Sequence, residues 1–453
     1  MKINAIILAA GQGTRMRSSR AKVLHNIGGK PMLAHVINAA SVLDYEKLLI
    51  VYGHDGEQVK SAFDGVAATW IHQEQQLGTG HAVAEAMAAI DDDVIVLVLY
   101  GDTPLILGST LGALLEGCAG GLGLLTTVLD RPEGYGRIIR DASGAVQAIV
   151  EDKDATVEER HINEINTGIL AVPAKHLRRW LAQLENKNAQ GEYYLTDIIA
   201  MAVSDGVTIK PLVCTDPDEV MGINDRLQQA AAERVYQERV VQQLMQTGVT
   251  MIRPETVTVN GELTCGSDVV IEPNVIFNGK VKIENDVTIG AFSVISNCAI
   301  GSGVEVLPHC VMDDAVVGNA CRIGPFARIR PETTLAEQVH VGNFVEIKKS
   351  TIAQQSKINH LSYIGDAVIG AGVNIGAGTI TCNYDGANKY QTRIEDNAFI
   401  GSDTQLVAPV TVGAGATIGA GSTITRDVDS DVLALTRVAQ KMIKNWQRPK
   451  KKG

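Results

Sequence analysis

Two cations follow a glycine-rich loop near the start of the chain, and together these groups could bind phosphates. The loop is Ala9-Ala10-Gly11-Gln12-Gly13-Thr14, followed by Arg15 and then Lys22. Backbone N–H groups at Gly11 and Gly13 can approach phosphate oxygens, and the two cations can neutralise a departing pyrophosphate. The spacing is neither that of a P-loop nor Gly-x-Gly-x-x-Gly, which disfavours ATPases and dehydrogenases. A purely structural strand-to-helix turn remains the alternative.

A lone carboxylate, Asp102, follows a second apolar stretch at residues 94–100. At the end of a buried strand, a carboxylate is well placed to bind Mg²⁺ that bridges nucleotide phosphates. Its alternative role is to cap a turn or a helix. The glycine loop and Asp102 together predict a phosphate-binding site at one edge of a sheet.

The elements that would position these groups indicate an α/β domain. Apolar strands are predicted at residues 3–8, 48–52 and 94–100, and helical stretches such as 81–90 alternate with them. The sheet should therefore be mostly parallel. Ligands of such sheets bind beyond the carboxyl ends of the strands, where both the glycine loop and Asp102 fall.

The second half of the chain repeats an apolar residue every six positions from Ile283 to about Ile424. This period predicts a β-helix in which each hexad forms one short strand and a corner, and three hexads, roughly 18 residues, form one coil. Apolar side chains such as Val345 and Val368 are expected on the sides of the prism, where a second copy could cover them. Residues 381–393 break the period and should project as a loop.

Residues 225–248 contain no proline, are rich in Ala, Gln, Glu and Arg, and end in glycine, so they predict one long connecting helix. Four segments follow from this pattern. They are an α/β domain at 1–224, the connecting helix at 225–248, the β-helix at 249–436 and a basic tail at 437–453.

The composition of the 453 residues, 45% hydrophobic and 20% charged, leaves room for two or three globular domains. A net charge of −11 disfavours nucleic-acid binding. The seven cysteines have no Cys-x-x-Cys spacing, so free thiols are expected rather than a zinc site. Neither a membrane span nor a signal peptide is predicted, and we expect a cytoplasmic protein.

The loop motif Leu8-Ala9-Ala10-Gly11-x-Gly13-Thr14-Arg15-Met16 with Lys22 resembles the signature of sugar-nucleotide pyrophosphorylases. The second half carries Asn343-Phe344-Val345-Glu346 and Gly376-Ala377-Gly378-Thr379-Ile380-Thr381-Cys382-Asn383-Tyr384-Asp385-Gly386. With these motifs, essentially the whole chain resembles the bacterial family of bifunctional N-acetylglucosamine-1-phosphate uridylyltransferases / glucosamine-1-phosphate N-acetyltransferases. The resemblance implies a Rossmann-like nucleotidyltransferase domain, a linker helix and a left-handed parallel β-helix of hexapeptide repeats.

For the first domain, the resemblance implies uridylyl transfer from UTP to N-acetylglucosamine 1-phosphate. The uridine would be held by Leu8, Ala10, Gly11, Gln73, Gly78 and Thr79. The phosphates would be held by Arg15 and Lys22, and one Mg²⁺ by Asp102 and Asn224. The sugar would contact Gly136, Glu151, Asn166 and Tyr100. This transfer needs alignment and charge neutralisation rather than a strong base. Glu151 could also be an ordinary surface charge.

For the second domain, the resemblance implies acetyl transfer from acetyl-CoA to glucosamine 1-phosphate, which requires an unprotonated amine. A neutral histidine suits that task, and His360 lies in the repeat register. A lone histidine is more often structural, but Arg330, Lys348 and Tyr363 lie in adjacent coils. The resemblance assigns the sugar phosphate to Arg330, Lys348, Tyr363, Asn374 and Lys389. It assigns acetyl-CoA to Ala377, Asn383, Tyr384, Ser402, Ala420 and Arg437.

The resemblance also implies a homotrimer formed through the β-helix and a role in peptidoglycan and lipopolysaccharide synthesis, with no membrane or nucleic-acid partner. Two other hypotheses remain open. One is a glucose-1-phosphate adenylyl- or thymidylyltransferase whose β-helix is structural or regulatory. The other is a non-catalytic subunit that uses both domains as a scaffold.

Overall fold

The computed structural model describes residues 2–53, 56–118, 120–449 and 451. It forms two compact units, Met1–Tyr236 and Gln237–Gly453. Three residues of the predicted basic tail, 450, 452 and 453, lie outside the described residues.

The first unit is built on a mostly parallel sheet. From one edge to the other, its strands are Ile209–Cys214, Leu122–Val128, Glu164–Pro173, Ile95–Tyr100, Ile3–Ala9, Lys47–Tyr52 and Thr69–His72. Glu164–Pro173 is antiparallel to both of its neighbours and also pairs with Arg137–Arg140, which pairs with Val146–Val150. A separate two-stranded sheet joins Asn26–Ile27 to Lys30–Pro31. The predicted α/β class is confirmed.

Helices cover both faces of this sheet. Among the described residues they are Met32–Ser41, Gly56–Ala62, Thr79–Ala86, Gly108–Gly117, Ala174–Leu181 and Ile198–Ser204. The central strand Ile3–Ala9 is buried along its whole length, and its alternate side chains enter two different cores. Such two-sided burial explains why every residue of this strand except Asn4 is apolar.

The predicted strand bounds agree with the structure to within about one residue, but the predicted helix 81–90 begins earlier. The helix begins at Thr79, directly after Gly78 at φ 114°, and ends at Ala86, after which a 3₁₀ turn follows at Met87–Ala89. Only glycine adopts the backbone conformation of position 78 readily. Gly78 and Thr79 are therefore part of a turn that opens toward the carboxyl end of the sheet.

The predicted connecting helix is present as Arg226–Gln246. Asp225 caps it, since its carboxylate accepts hydrogen bonds from the backbone N–H groups of Leu227 and Gln228, both at 2.9 Å. The boundary between the two units falls inside this helix. Ala232 is buried in a core of the first unit, and Val241 is buried in the core of the second.

The second unit is a parallel β-helix with three faces, as the six-residue period predicts. The first face contains Thr250–Met251, Val270–Ile271, Thr288–Ile289, Glu305–Val306, Arg322–Ile323, His340–Asn343, Lys357–His360, Asn374–Ile375, Phe399–Ile400, Thr417–Ile418 and Leu433–Ala434. The second contains Thr258–Cys265, Ile276–Ile283, Val294–Ser296, Val311–Asp313, Arg328–Ile329, Glu346–Lys348, Tyr363–Gly365, Ile380–Cys382, Gln405–Val407 and Thr423–Ile424. The third contains Ala299–Ile300, Ala315–Val317, Thr333–Leu335, Thr351–Ile352, Ala367–Ile369, Thr392–Ile394 and Val410–Val412.

Stacked apolar side chains fill the interior of this β-helix. Ile289, Val306 and Ile323 follow one another in the register of the first face, and all three are buried. Hydrogen-bonded partners in successive coils are commonly 17 or 18 residues apart, which agrees with the predicted coil length, and Ala371 and Asp396 are 25 apart because the loop lengthens their coil. The predicted loop is also present, between Ile380–Cys382 and Thr392–Ile394.

The expectation that Val345 lies on the outside of the prism is wrong. Val345 is only 1% exposed and belongs to the stacked core, because it immediately precedes the strand Glu346–Lys348 and points inward. Val368 is half-buried. None of the seven cysteines, all of which the structure describes, forms a disulfide, and Cys265 and Cys382 are half-buried while the other five are buried. No helix in the described part of the chain is long and apolar enough to cross a membrane.

Because each unit has its own apolar core, we predict that residues 1 to about 248 fold without the β-helix. The isolated fragment should unfold on heating in one cooperative transition, followed by circular dichroism, and should retain any transfer activity of the first unit. A fragment without a cooperative transition would contradict the independence of the two units.

Candidate functional sites

A cavity of about 430 Å³ opens at the carboxyl ends of the central strands of the first unit. All six residues predicted to hold a uridine line it, together with Lys22, Tyr100 and Asp102. These residues meet because the strands Ile3–Ala9 and Ile95–Tyr100 pair in parallel, which brings the residues that follow them to the same edge of the sheet. Glu192 and Gln76 also line the cavity and were not predicted.

The glycine loop is held closely against neighbouring groups. Gly13 has φ 60°, and a methyl group at this position would lie 2.7 Å from Cβ of Lys22. The side-chain amide of Gln76 donates to the carbonyl of Ala10. The loop therefore rests on the stem of Lys22, while Arg15 in the 3₁₀ turn Thr14–Met16 is exposed beside it.

The ammonium of Lys22 lies between the two residues predicted to bind a metal. It forms an ion pair with Asp102 and donates to Oδ1 of Asn224 at 3.1 Å. The backbone N–H of Ile223 donates to the carbonyl of Asp102 at 2.9 Å, and that of Asn224 donates to Gln228 at 2.7 Å. These bonds hold Asn224 beside Asp102, although the two are far apart in sequence.

This donor set fits a hard cation. One carboxylate and one amide oxygen already hold a positive charge, and oxygen ligands of this type suit Mg²⁺. Among the described residues no group of three or more His, Cys, Asp or Glu side chains could hold a metal. Mg²⁺ commonly takes one or two protein ligands and completes its shell with water and substrate phosphates, so the pair is sufficient.

Three of the four residues predicted to contact a sugar, Gly136, Glu151 and Asn166, lie in or next to adjoining strands, outside the cavity lining. A methyl group at Gly136 would lie 3.5 Å from Oε1 of Glu151, and the N–H of Asn166 donates to the carbonyl of Gly136 at 2.8 Å. Glu151 accepts a hydrogen bond from Thr196 at 3.0 Å. Burial raises the pKa of the Glu151 carboxyl, with that bond opposing the shift.

Tyr100 connects this sugar cluster to the cavity. Its ring packs on Gly168, where a methyl group would lie 2.4 Å from the ring. Burial, followed by the charges of Glu151 and Asp102, raises the pKa of the Tyr100 hydroxyl far above its usual value. The hydroxyl therefore remains protonated and can act as a hydrogen-bond donor.

Arg137 is a residue of this site that the sequence did not identify. Its side chain is 1% exposed, donates to the carbonyl of Tyr135 and forms an ion pair with Asp152 at 3.0 Å. Tyr135 precedes Gly136, and Asp152 follows Glu151. The buried guanidinium therefore ties together the two segments that carry these sugar candidates.

In the second unit, residues at equivalent positions of successive coils stack in a column along one corner of the β-helix. Backbone hydrogen bonds run from Gly378 to the carbonyl of His360, from Asp403 to that of Ala377, and from Gly421 to that of Ser402. A methyl group at Gly421 would lie 3.7 Å from Cδ of Arg437. This His360 corner therefore places four acetyl-CoA candidates in one column: Ala377, Ser402, Ala420 and Arg437.

Asn343 orients His360. The two residues are in register on the first face, and Nδ1 of the imidazole is 3.1 Å from Oδ1 of Asn343. When Nδ1–H donates to that oxygen, Nε2 is left with a lone pair on an exposed ring. A neutral imidazole in this state can accept a proton from a ligand. The sequence indicates Asn343 only as part of the motif Asn343-Phe344-Val345-Glu346.

The second face carries a cluster of positive charge. The ammonium of Lys389 lowers the pKa of Lys348, burial and Arg330 add smaller effects, and Asp366 opposes them. Arg330 also donates to Glu346 at 2.6 Å, and Glu346 is in register with Tyr363. Mutual repulsion among these cations favours an anion between them.

Two acetyl-CoA candidates lie apart from the His360 corner. Asn383 is buried and donates to Asp366, so it lies beside Lys348 rather than in the column of Ala377. Tyr384 is 59% exposed in the projecting loop, where its backbone forms an isolated antiparallel β-bridge with that of Lys389. Asn374 lies on the first face, in register with Lys357.

In the coils that precede His360, the same corner carries a stack of exposed rings, which we call the aromatic ladder: Phe292, His309, Phe326 and Phe344. Successive ring centroids are 5.1, 4.8 and 5.3 Å apart, and the planes are nearly parallel. The three phenylalanines are 54%, 48% and 56% exposed. Leu361 and then Gly378 follow in the next coils, so the bulky column ends beside His360.

Family models match segments of both units. Residues 5–161 match the model of the MobA-like NTP transferase domain, 255–345 match the GMPPB C-terminal domain, and 391–426 match the bacterial transferase hexapeptide (six repeats). A solved nucleotidyl transferase from Methanothermobacter thermautotroptrophicus is 20% identical and covers 52% of this chain and 98% of its own, with a TM-score of 0.38.

Among the curated relatives that match over the full length are three that are each described as bifunctional protein GlmU. That of Methylococcus capsulatus is 57% identical and covers 100% of this chain and 98% of its own. That of Ralstonia nicotianae is 54% identical, with 99% of both chains covered. That of Cupriavidus pinatubonensis is 53% identical, with 100% of both chains covered.

Proposed function

This chain belongs to the family of bifunctional GlmU proteins, and on that premise we propose that it catalyses two consecutive steps of UDP-N-acetylglucosamine synthesis. The second unit transfers an acetyl group from acetyl-CoA to glucosamine 1-phosphate. The first unit then transfers the uridylyl group of UTP to N-acetylglucosamine 1-phosphate and releases pyrophosphate. The product is a precursor of peptidoglycan and lipopolysaccharide, and the use of UTP and acetyl-CoA supports a cytoplasmic location.

In the first unit, the chain's own groups bind and align the two reactants. The uridine occupies the 430 Å³ cavity, and Lys22 and Arg15 neutralise the phosphates. The sugar binds at Gly136, Glu151 and Asn166, with the Tyr100 hydroxyl as a donor. The sugar phosphate oxygen attacks the α-phosphorus of UTP, and the bond from that phosphorus to the pyrophosphate breaks. Alignment and charge neutralisation carry this reaction.

Asp102 and Asn224 would hold one Mg²⁺, which would neutralise charge on the triphosphate. The pair of oxygens around the Lys22 ammonium supports this assignment.

In the second unit, His360 acts as the general base. Asn343 keeps Nε2 free to take a proton from the amine of glucosamine 1-phosphate as that amine attacks the thioester carbonyl. The carbon–sulfur bond then breaks, and the proton passes to the departing thiolate of CoA. Arg330, Lys348 and Lys389 hold the sugar phosphate, with Tyr363 and Asn374 beside it.

The observation that most supports acetyl transfer is that a histidine with one oriented nitrogen lies on a coil flanked by those of Lys348 and Lys389, which form a cluster of three cations with Arg330. A β-helix used only as a scaffold requires neither feature. A thymidylyltransferase with a structural β-helix would lack both, so the two other hypotheses lose support. Incubation with glucosamine 1-phosphate, acetyl-CoA and UTP should yield CoA and UDP-N-acetylglucosamine together.

We also propose that the protein is a homotrimer through the β-helix. In one chain, the acetyl-CoA candidates Ala377 and Asn383 lie on different corners, so a neighbouring subunit would complete the site. The exposed aromatic ladder supports an interface beside His360.

The metal assignment predicts separable effects on the two activities. Asp102→Ala should lower uridylyl transfer by roughly 10²-fold or more, because a charged group that positions the phosphates is lost. Acetyl transfer by the same protein should stay near wild type, as measured by CoA release. An equal loss of both activities would instead indicate that Asp102 supports folding.

The base assignment predicts a change in kcat. His360→Ala should lower the kcat of acetylation by about 10²–10⁴-fold with little change in the KM of either substrate. Arg330→Ala should mainly raise the KM for the sugar phosphate. Both variants should convert N-acetylglucosamine 1-phosphate and UTP normally. A wild-type kcat in His360→Ala would exclude this base and make Glu346, acting through water, the next candidate.

The trimer predicts a mass of three times 48.3 kDa by light scattering. Phe326→Asp together with Phe344→Asp should lower that mass and the rate of acetylation together, because charge would be forced into a covered surface. Uridylyl transfer should persist. A clean monomer with full acetyltransferase activity would refute the proposal.

A further inference from the structure

The ammonium of Lys22 occupies the position where the oxygens of Asp102 and Asn224 converge. It forms the ion pair with Asp102 and the 3.1 Å hydrogen bond to Asn224 with the same nitrogen. The side chains of Lys22 and Asp102 are only 12% and 17% exposed. Lys22 is therefore the counter-charge of a largely buried carboxylate.

A second cation cannot enter this position while the ammonium stays. Like charges a few ångströms apart repel strongly in a partly buried site. Lys22 can leave only if another anion receives it, because an unpaired ammonium is costly to keep buried. Its stem lies under the glycine loop, against Gly13, so a rotation of the outer bonds would direct the ammonium toward phosphates held by that loop.

We propose that Lys22 is a placeholder cation that the metal replaces when the nucleotide binds. This inference rests on the proposed metal ligands Asp102 and Asn224. The triphosphate supplies the anion that draws the ammonium away, and the vacated oxygens then accept Mg²⁺. Metal and nucleotide therefore bind with positive coupling, and by linkage each raises the affinity for the other by the same factor.

The test measures metal binding, not turnover. Mn²⁺ serves as the probe, and its free concentration is measured by electron paramagnetic resonance with the full-length protein and no nucleotide. Lys22→Met should bind Mn²⁺ about tenfold or more tighter than wild type, within the usual 5- to 150-fold range of coupling between sites. The rise in Mn²⁺ affinity on adding UTP should be correspondingly smaller in the variant.

Arg15→Met is the matched control for a general charge effect. Arg15 is a second cation of the same loop, but it is exposed and does not contact Asp102. Its loss should change the Mn²⁺ affinity of the nucleotide-free protein by less than about twofold, since an exposed charge is screened. An equal gain in both variants would overturn the placeholder and leave only a general field effect.

A double variant separates this inference from the proposed function. In one outcome, the double variant Lys22→Met with Asp102→Asn loses the Mn²⁺ site, while Lys22→Met alone binds Mn²⁺ no tighter than wild type. Asp102 is then a metal ligand, and the proposal that Lys22 is a placeholder is wrong. If Asp102→Asn leaves Mn²⁺ binding unchanged, the metal assignment itself fails and the placeholder with it. The expected result is tighter binding in Lys22→Met that Asp102→Asn abolishes.

Discussion

Parallel pairing of β-strands is the constraint on which both sites depend. In the first unit it directs the ends of Ile3–Ala9 and Ile95–Tyr100 to the same edge, so the glycine loop and Asp102 meet above the sheet. In the second unit it places each residue over its counterpart one coil away, so His360 lies against Asn343. Residues without affinity for one another are thus brought together by backbone hydrogen bonds.

The sequence predicted the elements of this structure better than the contacts between them. Runs such as residues 3–8 and the six-residue period carry their structure locally, because burial and corner geometry repeat along the chain. The orientation of Val345 was wrong because one position in a hexad decides whether a side chain enters the prism. Period alone did not show which apolar residues begin a strand and which lie on an outer surface.

The site residues that the sequence did not predict act through contacts that cannot be recognised from the sequence. Even the predicted Lys22 and Asn224 meet through a contact between residues 202 positions apart, and the missed Arg137 reaches Asp152 across two strands. Gln76 and Thr196 hold the loop and Glu151 through single hydrogen bonds. Such groups have no characteristic spacing. The candidates that the structure does bring together, such as the six uridine residues around one cavity, had been assigned by resemblance rather than from the pattern of the chain.

Like charges held near one another are a feature that the two sites share. Lys348 and Lys389 face each other on the β-helix, and Arg15 and Lys22 flank the same loop in the first unit. On the β-helix this repulsion is unfavourable until an anion enters, whereas Lys22 already has Asp102 as its counter-charge. Both proposed reactions use a sugar phosphate, and in the second unit its binding would relieve the repulsion.

The column at the His360 corner also has a consequence for how such proteins can change in length. From His360 to Ala420 it advances in three coil steps, each about 4.8 Å, or about 14 Å in all. An insertion of one or two residues within a strand would rotate every later side chain out of the column, whereas the projecting loop after Ile380–Cys382 leaves the column intact. An insertion of one whole coil would preserve the chemistry and lengthen the groove by one step. The length of the groove for the acyl donor should therefore change in steps of one whole coil. Each such step adds 17 or 18 residues to the chain.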